Sequence, residues 1–141
     1  MSDFLRRFAN GFAELDRHNL ERLAELYSED IHFHDPLHEI QGLVALREYF
    51  EQLYANISDL RYEFSGFDQV DEGEGYLRWT LHYRHPRLAG GQLVSVEGCS
   101  YLRWYDGRVY RHRDYFDAGN LLYEHIPILG SAIRWLKGRL A

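Results

Sequence analysis

The fold of this chain is decided by one stretch, DGRVYRHRDYFD at residues 106–117. Its leading Asp-Gly pair predicts a tight turn, because these residues accept the backbone angles that hairpin turns need. Beyond the turn, side chains alternate between two faces, as they do along a strand. One face carries Tyr110, His112, Asp114 and Phe116, and the other carries Arg111, Arg113 and Tyr115. The stretch therefore predicts a hairpin whose final strand places a carboxylate and an imidazole on the same side.

Upstream of this hairpin the two-residue period continues. Apolar and charged residues alternate from Leu60 onward, and a turn is predicted at 71–73. Further strands are predicted at 75–85 and 92–105, separated by a loop at 86–91. With the last strand at 108–116, these segments make an antiparallel meander.

Before the meander, apolar residues follow helical spacing. Helices are predicted at 3–16 and 20–27, and a third begins after Gly42. A short strand at 31–34 lies between them and is stopped by Pro36, because the residue before a proline is pushed to extended geometry. The order predicts an α+β domain in which three N-terminal helices pack on a curved, mostly antiparallel sheet.

The composition fits one globular domain. The chain has 141 residues, of which 45% are hydrophobic and 16% aromatic, so it can bury a core. Its net charge of -6 argues against a nucleic-acid partner. No leader or membrane-spanning run is visible and Cys99 is the single cysteine, so a cytoplasmic protein is expected.

The C-terminal segment differs from the rest of the chain in its charge and its apolar pattern. We divide the chain into an α+β unit at 1–118 and an amphipathic helical tail at 119–141 that belongs to the same domain. After Glu124 the tail has no acidic residue. A basic amphipathic helix can lie on an anionic membrane, so peripheral membrane contact through 126–141 is one hypothesis. The other is that the tail covers the pocket or a subunit interface.

The strand at 75–85 has large side chains on both faces. Its polar face carries Arg78, Thr80 and His82, and its aromatic face carries Trp79, Leu81 and Tyr83. We expect the polar face to line a pocket and the aromatic face to pack against a second subunit, which predicts a homodimer.

Two histidines on the short strand raise the question of a metal. His32 and His34 are two residues apart and point the same way, so they could bind a metal with His82 or His112 as third ligand. No fixed ligand spacing supports this hypothesis. We therefore expect hydrogen-bonding or proton-carrying histidines, with no metal and no cofactor.

The same segments carry a family resemblance. DGRV at 106–109 followed by RDYFD at 113–117 resembles the last hairpin of limonene-epoxide-hydrolase-like and SnoaL-like proteins. HDP at 34–36 is similar to the first strand of the ketosteroid-isomerase-like branch of the same NTF2-like superfamily. The resemblance spans nearly the whole chain. It implies a cone-shaped NTF2-like fold around one small-molecule pocket.

The comparison with the epoxide hydrolases is partial. Asp114 matches a carboxylate of their site, and Arg78 matches the arginine of an Arg-x-Asp pair. Thr80 stands where that pair has its aspartate, while His32 and His34 stand where those enzymes position water. Because threonine cannot replace a carboxylate in activating water, the resemblance implies a similar pocket with a different reaction.

The comparison with the ketosteroid isomerases is partial too. Asp35 matches their general base. The oxyanion-hole tyrosine falls near Gly11 and the protonated aspartate donor near Ser100, so neither donor is present. Isomerisation of ketosteroids is therefore not expected.

The expected site recombines these groups. We predict Asp114 as the acid or base, oriented by Arg78, with His34, Asp35 and His112 as further catalytic groups. The predicted substrate-binding residues are His32, Thr80, His82, Ser100, Phe12, Phe50 and Phe116. The reaction would be a proton transfer on a small apolar metabolite, as in isomerisation, dehydration, cyclisation or hydrolysis. The alternatives are a non-catalytic domain that binds a lipid or metabolite, and a protein–protein adaptor.

Overall fold

The computed structural model describes residues 3–86, 89–117 and 135–140. Its helices are α1 (Asp3–Ala13), α2 (Leu23–Leu26) and α3 (Leu43–Asn56), with short 3-10 helices at Leu20–Arg22 and Ala89–Gly91. Its strands are β1 (Tyr27–His34), β2 (Glu39–Gln41), β3 (Ser58–Asp71), β4 (Glu74–Arg84), β5 (Leu93–Tyr105) and β6 (Arg108–Phe116). The predicted α+β class is confirmed.

All six strands form one sheet in the order β2-β1-β6-β5-β4-β3. Neighbouring strands are antiparallel except β1 and β6, which run parallel. The register shifts between Phe64 and Gly66 in β3 and between Arg103 and Trp104 in β5. Such irregularities bend and twist a strand, and here they accompany a curved, unclosed sheet.

The helices pack on one side of the sheet, which we call the inner face. Phe8 and Phe12 of α1 and Leu46 and Phe50 of α3 are buried there. The inner face adds further buried side chains to this core, namely Ile31, Phe33, Leu77, Trp79, Leu102 and Val109. The opposite side of the sheet, the outer face, carries most of the charged side chains of β3–β6.

The predicted boundaries hold best for the last strand of the chain. The predicted strand 108–116 coincides with β6. The predicted helix 20–27 is shorter than expected, because Tyr27 takes extended angles and begins β1, where it pairs with Val109 of β6. The short strand β2 was not predicted. It is held by pairing with β1, a tertiary contact that local patterns do not reveal.

The prediction for the two faces of β4 is wrong. Trp79 and Tyr83 are 5% and 4% exposed and lie on the inner face, whereas Arg78 lies on the outer face with 59% of its side chain exposed. Gly98 on β5 makes room for the indole, since a Cβ there would lie 2.4 Å from Trp79. The aromatic face is therefore core, and it gives no argument for a second subunit. The homodimer stays a prediction.

The predicted tail at 119–141 lies outside the described residues except at 135–140, which are helical. In this helical segment Trp135 is 60% exposed and Leu140 is 87% exposed. Lys137 Nζ lies 2.7 Å from Asp117 Oδ2, so the segment contacts the end of the β6 region. Among the described residues, no helix is long and apolar enough to cross a membrane. Membrane contact through 126–141 stays a prediction.

Candidate functional site

A cavity of about 150 Å³ lies between the inner face and helices α1 and α3. Two carboxylates, Asp35 and Asp114, reach its wall. The rest of the lining is mainly aromatic and aliphatic: Phe12, Phe33, Tyr49, Phe50, Leu53, Ile57, Leu60, Tyr62, Trp79, Leu81, Tyr83, His85, Val96 and Phe116. An apolar cavity with a few convergent polar groups is the usual form of a small-molecule site.

Asp114 is held by two neighbours on the inner face. It pairs with Ser100 across β5 and β6, and the Ser100 hydroxyl donates to Asp114 Oδ1 at 2.5 Å. His112, two residues earlier on the same strand, places Nε2 2.6 Å from the same oxygen. Both contacts go to Oδ1, and the described residues supply no hydrogen bond to Oδ2. One oxygen is therefore fixed, while the other keeps its capacity to accept a proton.

The two neighbours of Asp114 are themselves positioned. The indole Nε1 of Trp79 donates to Ser100 Oγ at 2.9 Å. Tyr27 Oη lies 2.8 Å from His112 Nδ1. With Asp114 ionised, His112 donates from Nε2, and its neutral form then accepts the Tyr27 proton at Nδ1. This chain of contacts fixes the imidazole, because each ring nitrogen has one defined partner. We call Tyr27, His112, Asp114, Ser100 and Trp79 the inner network.

Asp35 has a different set of partners at the end of β1. Its Oδ1 accepts the backbone N–H groups of Leu37 at 2.8 Å and His38 at 2.7 Å, which closes the turn after β1. His38 Nδ1 lies 3.2 Å from the same oxygen, and the Tyr49 hydroxyl donates to Oδ2 at 3.3 Å. Asp35 therefore holds the β1–β2 turn while its carboxylate faces the cavity.

Several tyrosines near the cavity remain protonated at neutral pH. Burial, together with nearby Tyr54 and Asp114, raises the pKa of Tyr62 well above its ordinary value. Burial and nearby Asp35 raise the pKa of Tyr49, and burial raises the pKa of Tyr83 to about 12. The same cause, assisted by Asp114, raises the pKa of Tyr27. These phenols are neutral hydrogen-bond donors in an apolar surrounding.

The predicted pairing of Arg78 with Asp114 is wrong. Along the sheet, Asp114 is in register with Ser100 and Leu77, whereas Arg78 is in register with Cys99 and Tyr115. These two rows project from opposite faces, because successive residues of a strand alternate. Arg78 Nε instead lies 3.1 Å from Asp68 Oδ2 on the outer face.

The other polar residues predicted on β1 and β4 also lie away from the cavity. His32 and His34 alternate with the buried Ile31 and Phe33, so they project to the other side of β1. His32 Nε2 lies 3.0 Å from Glu39 Oε1. Among the described residues, no group of three or more His, Cys, Asp or Glu is arranged to hold a metal ion.

Thr80 and His82 share the outer face with Arg78. His82 Nδ1 lies 2.7 Å from Ser95 Oγ, and its Nε2 lies 3.5 Å from Glu63 Oε1. The prediction that these two side chains bind substrate in the pocket is wrong for the same reason of strand alternation.

The remaining predicted residues come together. Phe12, Phe50 and Phe116 line the cavity with Asp35 and Asp114, and Ser100 and His112 support Asp114 from behind. Four residues of the site were not predicted, namely Tyr27, Trp79, Tyr49 and Tyr62. Tyr49 follows Leu46 at helical spacing in the third predicted helix, so its position was available from the sequence. The contact between Tyr27 and His112 spans 85 residues and leaves no local signal.

Comparisons with known proteins agree with this architecture. A family model described as SnoaL-like domain matches residues 5–112. No curated protein matches the sequence.

Solved structures share the fold at low identity. An NTF2-like protein of unknown function from Exiguobacterium sp. 255-15 is 19% identical, with a TM-score of 0.66 over 82% of this chain and 98% of its own. A candidate polyketide cyclase from Acidithiobacillus ferrooxidans is 15% identical, with a TM-score of 0.70 over 89% of this chain and 96% of its own. AclR from Streptomyces galilaeus, a candidate hydroxylase, is 23% identical, with a TM-score of 0.65 over 84% and 90%. The chain has an NTF2-like fold and belongs to the SnoaL-like domain family.

Proposed function

We propose that this protein is an acid–base enzyme that moves a proton on a small, largely apolar substrate, with Asp114 as the proton acceptor and donor. The observation that carries the proposal is how the Asp114 carboxylate is held and where it lies. Ser100 and His112 fix its Oδ1 at 2.5 Å and 2.6 Å, and it stands at the wall of an apolar cavity. A positioned carboxylate of this kind is a recognised general base.

The reaction class follows from the surroundings of Asp114. A carboxylate can remove a proton from the carbon next to a carbonyl, and the electrons of that C–H bond then move to the carbonyl oxygen. The neutral phenol of Tyr62 lines the same cavity and can donate to the negative oxygen that forms. Returning the proton from Asp114 to another atom of the substrate completes an isomerisation. In a dehydration, the electrons of the enolate form a C=C bond, the C–O bond at the next carbon breaks, and the proton from Asp114 joins the leaving hydroxyl group to give water. This step requires no cofactor.

The groups that orient Asp114 differ from the one expected from the sequence. Arg78 cannot orient this carboxylate, since it projects from the outer face. Ser100 and His112 take that position instead, and both are 4% or less exposed. We therefore assign them as positioning residues. They hold the carboxylate through its Oδ1, which leaves Oδ2 available to the substrate.

The experiment measures proton exchange and so does not require the natural substrate. Cyclohexanone and 2-cyclohexenone are incubated with the protein in deuterated water, and loss of the hydrogens next to the carbonyl is followed by NMR. We expect the wild type to accelerate exchange over buffer, and Asp114→Asn to lower the accelerated rate by about 10²-fold or more.

The matched control is Asp68→Asn, which changes the net charge equally but lies on the outer face beside Arg78. We expect it to keep the wild-type exchange rate. Circular dichroism of both variants checks that they fold. The proposal fails if the wild type does not exceed the buffer rate, or if Asp114→Asn exchanges as fast as the wild type.

A further inference from the structure

We infer that the cavity selects a small organic cation, a molecule with an apolar body and a substituted ammonium group. This inference rests on the same cavity as the proposed function and names the class of substrate that it accepts. It follows from the charges and the ring systems that line the cavity.

The charges of the lining residues do not balance. Asp35 and Asp114 reach the cavity, and no lysine or arginine does so among the described residues; His85 is the only other ionisable group of the lining besides tyrosines. The arginines of β4 are turned to the outer face, where Arg78 meets Asp68 and Arg84 meets Asp59. Strand alternation therefore separates the acids of the cavity from the bases of the sheet.

No lysine or arginine of the described residues holds the two carboxylates. Asp114 contacts the Ser100 hydroxyl and the His112 ring, while Asp35 contacts two backbone N–H groups, the Tyr49 hydroxyl and the His38 ring. Apart from these two imidazoles, the described contacts bring no basic group to the carboxylates. Bringing an ionised carboxylate into apolar surroundings costs free energy unless an opposite charge accompanies it. A cationic ligand supplies that charge, whereas an anionic ligand would add to the repulsion.

The ring systems favour the same ligand. The cavity is lined by Phe12, Phe33, Tyr49, Phe50, Tyr62, Trp79, Tyr83 and Phe116. Tyr62 stands at 79° to Phe12 and at 81° to Trp79. Both are edge-to-face contacts, so the rings of the lining do not all lie in one plane. The faces of aromatic rings attract cations, and substituted ammonium groups bind in aromatic cages for this reason.

The cavity volume limits the size of the guest. About 150 Å³ is room for a single six-membered ring with small substituents. A substituted ammonium group suits this space better than a hydrated metal ion or a long polyamine. Its alkyl groups shield the charge from water, so the group gives up little hydration on entering the cavity.

The test compares two molecules of nearly the same shape that differ in charge. Binding of 3-hydroxyphenyltrimethylammonium and of 3-tert-butylphenol is measured by isothermal titration calorimetry at pH 7, where an ordinary imidazole is mostly uncharged and both phenols mostly keep their proton. We expect the cation to bind at least about 10-fold more tightly than its neutral analogue, in line with a desolvated cation–π contact. Equal or weaker binding of the cation would overturn the inference.

Variants then locate the effect. Asp114→Asn and Asp35→Asn keep an acceptor oxygen but remove the charge, so each should reduce the preference for the cation several-fold without weakening 3-tert-butylphenol. Asp68→Asn on the outer face should leave the preference unchanged. If both cavity variants keep the full preference, the cavity does not bind the cation and the inference is overturned.

The two experiments separate this inference from the proposed function. Accelerated ketone exchange without a preference for the cation would keep the acid–base role of Asp114 and reject the cationic ligand. A cation preference that depends on Asp114, without any exchange, would keep the ligand class and reject the enzyme.

Discussion

The outer face of strands β4–β6 carries most of their polar side chains, whereas the inner face carries few and buries them. Across the sheet, the row Leu77–Ser100–Asp114 is turned inward, and the adjacent row Arg78–Cys99–Tyr115 is turned outward. Inner polar groups meet one another at 2.5–2.9 Å with little contact with water. Outer polar groups, such as Arg78 and Asp68, remain more than half exposed.

This difference decides which polar contacts matter to the fold and the site. Water can replace a lost partner on the outer face, so each outer contact contributes little free energy. On the inner face, water cannot do so, and a donor or acceptor left alone pays its full desolvation cost. The inner network is therefore both a structural element and the support of the candidate base.

The largest difference in the free energy of unfolding is expected between alanine variants at the neighbouring residues 78 and 79. Trp79→Ala removes an indole that is 5% exposed, contacts Phe116 and Tyr62, and donates to Ser100. We expect it to lower the free energy of unfolding by about 3–5 kcal/mol. Arg78→Ala removes an exposed ion pair and should change it by about 0.5 kcal/mol or less.

Urea denaturation followed by circular dichroism measures both variants. A similar loss of stability in the two would contradict the assignment of the faces. If Arg78→Ala proved the more damaging change, the sheet would have the opposite orientation from the one described here.

A second contrast compares two serines of β5. Ser100→Ala leaves the Trp79 indole N–H without its acceptor and removes a donor from Asp114, so we expect a loss of about 1–3 kcal/mol. Ser95→Ala on the outer face removes a contact with His82 that water can replace, and should cost about 0.5 kcal/mol or less. The midpoint of urea denaturation reports both values, and equal midpoints would show that the inner network adds no stability.

The exchange assay tests whether Ser100 positions Asp114 in addition to stabilising the fold. In folded Ser100→Ala at low temperature, the rate of ketone exchange should fall, because Asp114 Oδ1 loses one of its two fixed contacts. An unchanged rate would limit Ser100 to stabilising the fold.

Much of this architecture could be predicted from local patterns. The change from helical spacing to a two-residue period predicted the α+β order, and the segment 106–117 predicted both the turn and β6. The same alternation placed His112, Asp114 and Phe116 on one face. These predictions succeeded because they depend on neighbours within a few residues, where backbone geometry fixes the direction of each side chain.

The orientation of β4 could not be predicted in this way. Its two faces carry Trp79 and Tyr83 on one side and Arg78 and His82 on the other, and both sets have long side chains. Alternation shows which residues share a face but not which face meets the helices. Gly98 was an available signal, since a glycine opposite Trp79 leaves room for an indole on the packed side.

Contacts between residues far apart in the sequence could not be predicted either. Tyr27 meets His112 because β1 runs parallel beside β6, a pairing that nothing in either segment specifies. The support of Asp114 is consequently a tertiary property. Sequence reasoning found the carboxylate, but it chose an arginine as its partner where the fold supplies a serine and a histidine.

A last comparison, seen only at high pH, concerns Tyr83, an inner-face residue at the cavity. Burial raises its pKa from 10.0 to about 12. Between these pH values the unfolded chain loses the phenol proton while the folded protein keeps it. Unfolding then releases a proton, so the stability contributed by this group is complete below pH 10 and is lost as the pH rises toward 12. Tyr83→Phe removes this contribution.

The measurement is the free energy of unfolding from pH 7 to pH 11.5 for the wild type and Tyr83→Phe. Between pH 7 and pH 9 the two curves should run parallel, which serves as the internal control, because neither state of Tyr83 loses a proton there. Above pH 10 the wild-type curve should fall more steeply than that of the variant. Parallel curves over the whole pH range would mean that the Tyr83 phenol contacts water in the folded protein. The inner face at the cavity would then be as accessible to solvent as the outer face.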